Sequence, residues 1–304
     1  MNYRIGILGM GGVGGYLGAK LAAAKLPRVE LIFIARNQTK SVLQQQGLKL
    51  ITDDGELTAH AQLVSDDPAE IGHLDMLICA VKGYDLSDSL QRYADCLDKD
   101  SVILPLLNGI GIAGQVKSIL SEPQVWEGCI YIIARQEERG VIRQSGPVNQ
   151  LFFGSLNAGN EPLKKLESLL KQAGIKADIA PDIETELWKK FFFILVMATF
   201  TSYYHSAIGL AQQDAEKAAE IRQMIAELEQ VATAQGTKLP AGLAQATYDR
   251  ILSLAPGTTS SMYADFQKGG PNELEQLTGE VVRMGEQYKV VTPVYAKMYQ
   301  ALLG

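Results

Sequence analysis

The chain has 304 residues, of which 47% are hydrophobic, and its formal net charge at pH 7 is −6. This length is sufficient for two domains, each with its own core. The acidic balance argues against nucleic acid as the main partner, because binding a phosphate backbone requires a basic surface. The longest apolar run, residues 191–200, is about half the length of a membrane-spanning helix, so no membrane partner is expected.

Cysteine and histidine usage indicates a cytoplasmic protein without a metal. Cys79, Cys96 and Cys129 are widely spaced and match neither a disulfide framework nor a zinc pattern. The three histidines do not combine with other ligand types at metal-binding spacing. The N-terminal apolar segment is interrupted by glycines and lacks the cleavage region of a signal peptide. We therefore expect a protein of the reducing cytoplasm.

The first motif is a glycine-rich turn between a predicted strand, residues 3–8, and a predicted helix of small residues, 13–24. Gly9, Gly11 and Gly14 give the spacing G-x-G-x-x-G. In a dinucleotide-binding fold the first glycine permits the tight turn, the second lets the backbone approach a pyrophosphate, and the third lets the helix lie close to the strand. A glycine-rich turn without a ligand is the alternative, but the order of strand, turn and helix favours a dinucleotide site.

The end of the second predicted strand, residues 29–35, bears on the choice of cofactor. An NAD-binding fold usually places Asp or Glu there to bind the ribose 2′-hydroxyl, whereas this chain has Ala35, Arg36 and Asn37. A carboxylate would repel a 2′-phosphate, while the Arg36 guanidinium can pair with one through two hydrogen bonds. NADPH is therefore the predicted cofactor, and a solvated loop arginine is the alternative.

Further strands are predicted at residues 74–81 and 101–107, of the apolar kind found in parallel sheets. They lead into Lys82 and Asn108, and loops after the carboxyl ends of parallel strands line the ligand crevice. The alternatives are an exposed lysine and an ordinary Asn-Gly turn. Residues 126–134 and 148–154 are also predicted as strands, forming an antiparallel extension of the same sheet.

Strand signals stop near Ile183, and every later segment is predicted to be helical. We therefore predict an α/β Rossmann domain over residues 1–181 and an all-α domain over residues 182–304. A long helix, continuous or broken, is predicted over residues 184–210, and its apolar run indicates burial on most sides. Lys190 precedes that run. It would serve as a proton donor if buried beside a ligand pocket, and would only extend its ammonium into solvent if it lay at the rim.

The ordered set of motifs resembles the ketopantoate reductases (2-dehydropantoate 2-reductases) over nearly the whole chain. The motifs are ILGMGGVGG at residues 7–15, Arg36, AVKGYD at 80–85, LLNGIG at 106–111, ELWKKF at 186–191 and SSMYADFQKGGPNE at 260–273. The resemblance implies NADPH-dependent reduction of ketopantoate, a 2-oxo acid, to pantoate, in the biosynthesis of pantothenate and coenzyme A. It also implies a Rossmann domain followed by an all-α domain of the 6-phosphogluconate dehydrogenase C-terminal-like kind, with the active site in the cleft between them.

The same resemblance implies roles for individual residues. Lys190 matches the catalytic lysine, whose ammonium would hydrogen-bond the ketone oxygen and donate the proton as hydride arrives. Substrate-binding positions are matched by Asn108, Ser261 and Glu273. Arg36 and Lys82 match contacts to the 2′-phosphate end of NADPH, and Ala134 matches a backbone contact to the cofactor. The full set of implied cofactor-binding residues is Gly9, Met10, Gly11, Gly12, Val13, Gly14, Arg36, Lys82, Asn108, Ala134 and Glu273.

One departure from the family pattern concerns the substrate. The family typically has asparagines four and eight residues after the lysine, whereas this chain has Ile194 and Ala198 there. That spacing keeps the three positions on one helix face, and Thr199, Thr201 and Ser202 are expected to point elsewhere. A related dehydrogenase acting on a more apolar 2-oxo acid is therefore an alternative, and a nucleotide-binding regulator without catalysis is a third. The apolar helices are equally compatible with a homodimer and with a large monomer core.

Overall fold

A computed structural model describes residues 2–155 and 159–304. They divide into two compact units. The α/β unit contains the chain up to Leu107 together with Gly111–Ile183, and the helical unit contains Asn108–Ile110 together with Glu184–Gly304. The described strands all lie in the α/β unit and end by Ile179. The predicted fold class, a Rossmann-type α/β part followed by an all-α part, is confirmed.

The α/β unit contains the six strands and the small-residue helix that the sequence analysis predicted, with differences at most of their ends. Its strands are β1 (Tyr3–Leu8), β2 (Val29–Ile34), β3 (Leu48–Thr52), β4 (Gly55–Ala59), β5 (Leu63–Ser65), β6 (Met76–Cys79), β7 (Val102–Pro105), β8 (Gln124–Val125), β9 (Glu127–Glu138), β10 (Val141–Gly154) and β11 (Lys176–Ile179). Its helices are α1 (Gly12–Ala24), α2 (Asn37–Gln46), α3 (Pro68–Ile71), α4 (Leu86–Arg92), α5 (Ile112–Ile119) and α6 (Asn160–Gln172). The short elements α3, α4, α5 and β8 were not among those predicted.

Strand β1 lies inside a parallel sheet whose described strands have the order β5-β2-β1-β6-β7-β8. Leu8 of β1 is in register with Ile34 of β2 and Cys79 of β6, so the carboxyl ends of these three strands lie side by side. Strands β6 and β7 are buried throughout, as expected where helices cover both faces of a parallel sheet. This order is the doubly wound one, in which ligands bind beyond the carboxyl ends at the point where strand order reverses.

The prediction that β9 and β10 extend the parallel sheet was wrong. They pair antiparallel, but they belong to a second sheet with the order β11-β10-β3-β4, in which β9 pairs with β10. Strand β8 takes the position beside β7 that an extension would need. Strands β9 and β10 also run through the polar segment that separated them in the prediction, because a register shift between Ser145 and Asn149 absorbs the irregularity.

Helix α1 lies between the two sheets, and its small residues allow it to pack closely against both of them. A methyl group at Gly15 would lie 2.5 Å from the side chain of Ile142 in β10, and one at Gly18 would lie 2.9 Å from Phe33 in β2. The buried side chains around α1 form one hydrophobic core that includes both sheets. Because glycine is a poor helix former, packing on both sides stabilises this helix more than its own propensity does.

The helical unit is built around a long apolar helix. Its helices are α7 (Ile183–Tyr203), α8 (Gly209–Gln213), α9 (Ala215–Gln235), α10 (Leu243–Leu252), α11 (Ser261–Gln267), α12 (Glu280–Tyr288) and α13 (Pro293–Leu303), with a π-helical turn at Glu275–Gly279. Phe191, Phe192 and Leu195 of α7 are completely buried, as the apolar run predicted. Across residues 2–155 and 159–304, no helix combines the length and apolar character needed to cross a bilayer.

A buried carboxylate joins two helices of this unit. Glu227 of α9 is 4% exposed and accepts hydrogen bonds from the N–H groups of Val294 at 3.0 Å and Tyr295 at 3.2 Å, at the start of α13. The side chain of Thr292 makes no capping hydrogen bond there, so Glu227 supplies the acceptor that the first N–H groups of a helix lack. Burial raises the pKa of Glu227.

Candidate functional site

The glycine turn after β1 presents main-chain N–H groups to a ligand. Gly9 has a φ of +93°, a conformation that favours glycine. A methyl group at Gly14 would lie 1.9 Å from the carbonyl oxygen of Gly9, so α1 closes directly onto the turn. At Gly11, by contrast, an added methyl group would have nothing within 4 Å. The first N–H groups of α1 have no intrahelical acceptor, and with the helix dipole they suit an anionic phosphate.

Ala134 of β9 lies against this turn from the second sheet. A methyl group at Gly12 would be 2.2 Å from the carbonyl oxygen of Ala134. Met10 is buried and Val13 is half-buried within the same segment. The structure therefore brings one group of predicted cofactor residues together: Gly9, Met10, Gly11, Gly12, Val13, Gly14 and Ala134.

A cleft of about 540 Å³ lies beyond the carboxyl ends of β1 and β2. Its lining includes Gly9, Gly11 and Arg36, so the predicted arginine shares the cleft with the glycine turn. Arg36 is exposed in the connection from β2 to α2. Asn37, the next residue, has a φ of +52°, a left-handed conformation that asparagine adopts more readily than most residues.

Lys82 is placed next to this cleft rather than in it. Val81 contributes to the lining, whereas Lys82 is absent from the lining among the described residues. Two arginines that the sequence analysis did not single out, Arg92 and Arg139, do line the cleft. They lie at the end of α4 and in the turn between β9 and β10. Only tertiary structure brings them near Arg36, so no local motif indicates their position.

In the helical unit the structure brings Lys190 and Asn108 together. Nζ of Lys190 donates a hydrogen bond to Oδ1 of Asn108 at 3.0 Å. Lys190 is 7% exposed, which excludes the alternative of an ammonium extended into solvent. The neighbouring Lys189 has a side chain 38% exposed and pairs with Glu186 at 2.8 Å. Consecutive helix positions point about 100° apart, so only one of the two lysines enters the interior.

Glu273 and Ser261 occupy different kinds of position in the same unit. Glu273 is 2% exposed and directly precedes Leu274 and the π-helical turn, a helix irregularity often found at functional sites. Oδ1 of the preceding Asn272 accepts a hydrogen bond from the N–H of Leu274 at 3.0 Å. Ser261 is the exposed first residue of α11, and Ser260 caps that helix through the N–H of Tyr263.

Thr201 corrects one expectation drawn from the sequence. It lies about three helical turns beyond Lys190, on the helix face that also contains Ile194 and Ala198. It therefore does not point away from that face, as had been expected. Its Oγ1 is 2.7 Å from Oγ of Ser260, the residue beside Ser261. Thr199 does point away and pairs with Thr278 at 2.8 Å.

Between Lys190 and Thr201 the α7 face is apolar. Ile194 is half-buried, and Ala198 is 3% exposed. Both side chains belong to the hydrophobic core of the helical unit or pack against it. A substrate group facing these two positions would find no hydrogen-bonding side chain on them.

The α/β unit is doubly wound and has a glycine turn of the dinucleotide-binding type, and the helical unit that follows it contains a buried lysine. Together these features define a class of proteins with a Rossmann-type unit followed by a helical one. Comparison with known families shows to which family of that class the chain belongs. The family model described as ketopantoate reductase PanE/ApbA matches residues 5–158, and the model for its C-terminal part matches residues 182–304. The chain belongs to the ketopantoate reductase family of oxidoreductases, as its motifs predicted.

Relatives match this chain along its whole length. The uncharacterized oxidoreductase YkpB of Bacillus subtilis is 27% identical over 301 residues, covering 97% of this chain and 96% of the relative. The solved 2-dehydropantoate 2-reductase from Porphyromonas gingivalis is 31% identical, with a TM-score of 0.87 and 100% coverage of both chains. A D-mandelate dehydrogenase solved with NADH and anilino(oxo)acetate is 21% identical with a TM-score of 0.87, covering 99% of this chain and 97% of its own. It shares the fold.

Proposed function

We propose that this protein reduces 2-dehydropantoate to pantoate with NADPH. The observation that carries the proposal is the hydrogen bond from the buried Lys190 to the half-buried Asn108, which fixes the position of an ammonium group in the helical unit. Two residues that the resemblance implied for one reaction are thereby found in contact. The proposed reaction is cytoplasmic, in keeping with three buried cysteines that form no disulfide.

The residues of the α/β unit fit a dinucleotide. The open position at Gly11 leaves room for a pyrophosphate beside the N–H groups at the start of α1, and Ala134 offers a main-chain contact beside them. When bound, NADPH supplies the hydride. We propose NADPH rather than NADH because Arg36 stands where a carboxylate would bind the ribose 2′-hydroxyl, and a guanidinium pairs well with a phosphate.

Lys190 is the proposed general acid. Its Nζ would donate a hydrogen bond to the ketone oxygen and transfer a proton to that oxygen as it gains negative charge. Asn108 orients the ammonium group by accepting one of its three hydrogens. Ser261 and Glu273 are the proposed substrate ligands, Ser261 because its hydroxyl is accessible and Glu273 because its carboxyl group is held in the interior.

The direct test follows NADPH oxidation by absorbance with 2-dehydropantoate present. A kcat/KM within the usual enzyme range of about 10⁴–10⁸ M⁻¹s⁻¹ would support the proposal and show that Ile194 and Ala198 are tolerated. Tight NADPH binding without turnover of any 2-oxo acid would contradict it and favour the nucleotide-binding regulator.

A second candidate is the reduction of a more apolar 2-oxo acid. Ile194 and Ala198 support it, because a substrate hydroxyl facing them would be left without a partner at a cost of about 1–3 kcal/mol. The shared fold of a D-mandelate dehydrogenase is compatible with an aromatic substrate side chain. Parallel kinetics with 2-dehydropantoate and with branched and aromatic 2-oxo acids separate the candidates. Equal or higher kcat/KM for the apolar acids would favour the second.

A further inference from the structure

The cleft of the α/β unit carries more positive charge than the glycine turn requires. Arg36, Arg92 and Arg139 line it, and no aspartate or glutamate is found among the described lining residues. The three arginines come from separate elements, the connection from β2 to α2, the end of α4 and the turn between β9 and β10. Backbone N–H groups of the glycine turn suit a pyrophosphate without help from any of them.

Two of these guanidinium groups have no acidic partner in the part of the chain that the structure describes. Within residues 2–155 and 159–304, the guanidinium groups of Arg36 and Arg139 form no hydrogen bond and no ion pair. The neighbouring arginines of the same hairpin differ, because Arg135 and Arg143 both bind Glu137, at 3.1 and 2.5 Å. The charge of Arg139 is therefore available at the cleft.

Arg92 is held in place by a main-chain contact and pairs with a carboxylate only at a long distance. Its Nη2 donates a hydrogen bond to the carbonyl oxygen of Asp66 at 3.0 Å and lies 3.8 Å from the Asp66 carboxylate. That carboxylate is bound more closely by Lys40, at 2.7 Å. Arg92 therefore shares the Asp66 carboxylate with Lys40, and its own contact with that carboxylate is the longer of the two. The main-chain contact orients Arg92 without cancelling its charge.

A phosphate monoester is the ligand that this arrangement suits. It carries up to two negative charges and three acceptor oxygens, and arginine binds such groups through paired hydrogen bonds. A ribose with free hydroxyl groups would gain little from three guanidinium groups. We propose that Arg92 and Arg139, together with Arg36, bind the 2′-phosphate of NADPH, so that the β9–β10 turn of the second sheet helps to determine cofactor specificity. This rests on the proposed use of NADPH.

Equilibrium binding provides a test that does not depend on turnover. The full-length protein is titrated with NADPH and NADH by nicotinamide fluorescence, and with adenosine 2′,5′-bisphosphate and 5′-AMP as competitors. We expect Arg139→Ala and Arg92→Ala each to weaken NADPH binding about ten-fold, with less than about a two-fold change for NADH. Rising salt should weaken NADPH binding less in these variants than in the unmodified protein, because fewer charges remain to be screened.

Arg135→Ala is the matched control, because Arg135 lies on the same hairpin with a side chain 70% exposed and does not line the cleft. Arg92→Lys keeps a positive charge if loss of the Asp66 contact disturbs α4, and it should bind NADPH at intermediate strength. NADPH affinities equal to that of the Arg135→Ala control would overturn the inference. If Arg36→Ala then still weakened NADPH selectively, the proposed cofactor would stand. Equal affinity of the unmodified protein for NADPH and NADH would overturn both.

Discussion

The proposed site in the α/β unit is formed mainly by main-chain atoms, whereas the proposed site in the helical unit is formed by side chains. In the α/β unit the glycine turn is formed by main chain, and Gly12 and Gly14 leave no space for a side chain. In the helical unit the corresponding face of α7 is formed by side chains at helical spacing. Ile194 and Ala198 depart from the family pattern there, yet α7 is continuous from Ile183 to Tyr203. A site made of main chain resists substitution, whereas a site made of side chains can change one residue at a time.

The largest expected effect is on the side chain that carries the proposed proton. Lys190→Ala should lower kcat at least about 100-fold, because a positioned general acid contributes roughly 10²–10⁴-fold, and NADPH affinity should barely change. Steady-state kinetics and fluorescence titration measure the two quantities. Lys189→Ala is the control, since Lys189 lies on the surface and pairs with Glu186. Similar kcat values for both variants would remove Lys190 from the mechanism.

Two separate glycine-to-alanine variants, each adding one methyl group, test the main-chain site. Gly14→Ala places a methyl group 1.9 Å from the Gly9 carbonyl, and overpacking of this kind costs about 1–3 kcal/mol. Gly11→Ala meets nothing within 4 Å, so it should leave the melting temperature unchanged and weaken NADPH binding. Thermal denaturation with parallel titrations compares them. Equal melting temperatures would show that α1 does not close onto the turn as described.

Restoring the family's asparagine at position 194 tests the side-chain site. Ile194→Asn adds an amide to the α7 face and should raise the ratio of kcat/KM for 2-dehydropantoate over an apolar 2-oxo acid about ten-fold, equivalent to one hydrogen bond. Ile194→Val is the control, because it changes size without adding a polar atom. The same ratio in both variants would mean that residue 194 does not face the substrate.

The smallest expected effect concerns a carboxylate outside both sites. Burial raises the pKa of Glu227 above its ordinary value of 4.5, so the folded protein binds this proton more tightly than the unfolded chain does. The contribution of Glu227 to stability is therefore complete below pH 4.5 and declines as the pH rises through the raised pKa. Denaturant unfolding of the unmodified protein and of Glu227→Gln across this range should show a difference in unfolding free energy that falls with increasing pH. A constant difference would contradict the raised pKa.

Local patterns in the sequence were sufficient for much of the α/β unit. The glycine spacing, the apolar strands and the loss of strand signals near Ile183 gave the fold class, because each depends on residues close in the chain. The placement of β9 and β10 in a second sheet depends instead on pairing with β3, about ninety residues away. Periodicity contains no information about which distant strand becomes the partner.

The candidate site likewise has some residues that the sequence indicated and others whose positions depend on tertiary packing. The positions of Arg36 and Lys190 follow from strand ends and family motifs. The contact of Lys190 with Asn108 joins residues 82 positions apart, and the approach of Arg92 and Arg139 to one cleft depends on how α4 and the second sheet pack. Thr201 was misjudged for a simpler reason. Eleven residues complete three helical turns almost without remainder, a match that the four- and eight-residue spacings did not suggest.

The glycines of α1 also set a limit for protein engineers. Replacing glycine by alanine in a helix is a standard route to higher thermostability, worth about 0.4–1 kcal/mol where the site has room. At Gly12, Gly14 and Gly15 a methyl group would meet neighbouring atoms within 2.5 Å, so substitutions chosen by helix propensity alone would disrupt the core of the α/β unit. Gly114, exposed in α5 with nothing within 4 Å of the added group, is the position where the same exchange should raise heat resistance.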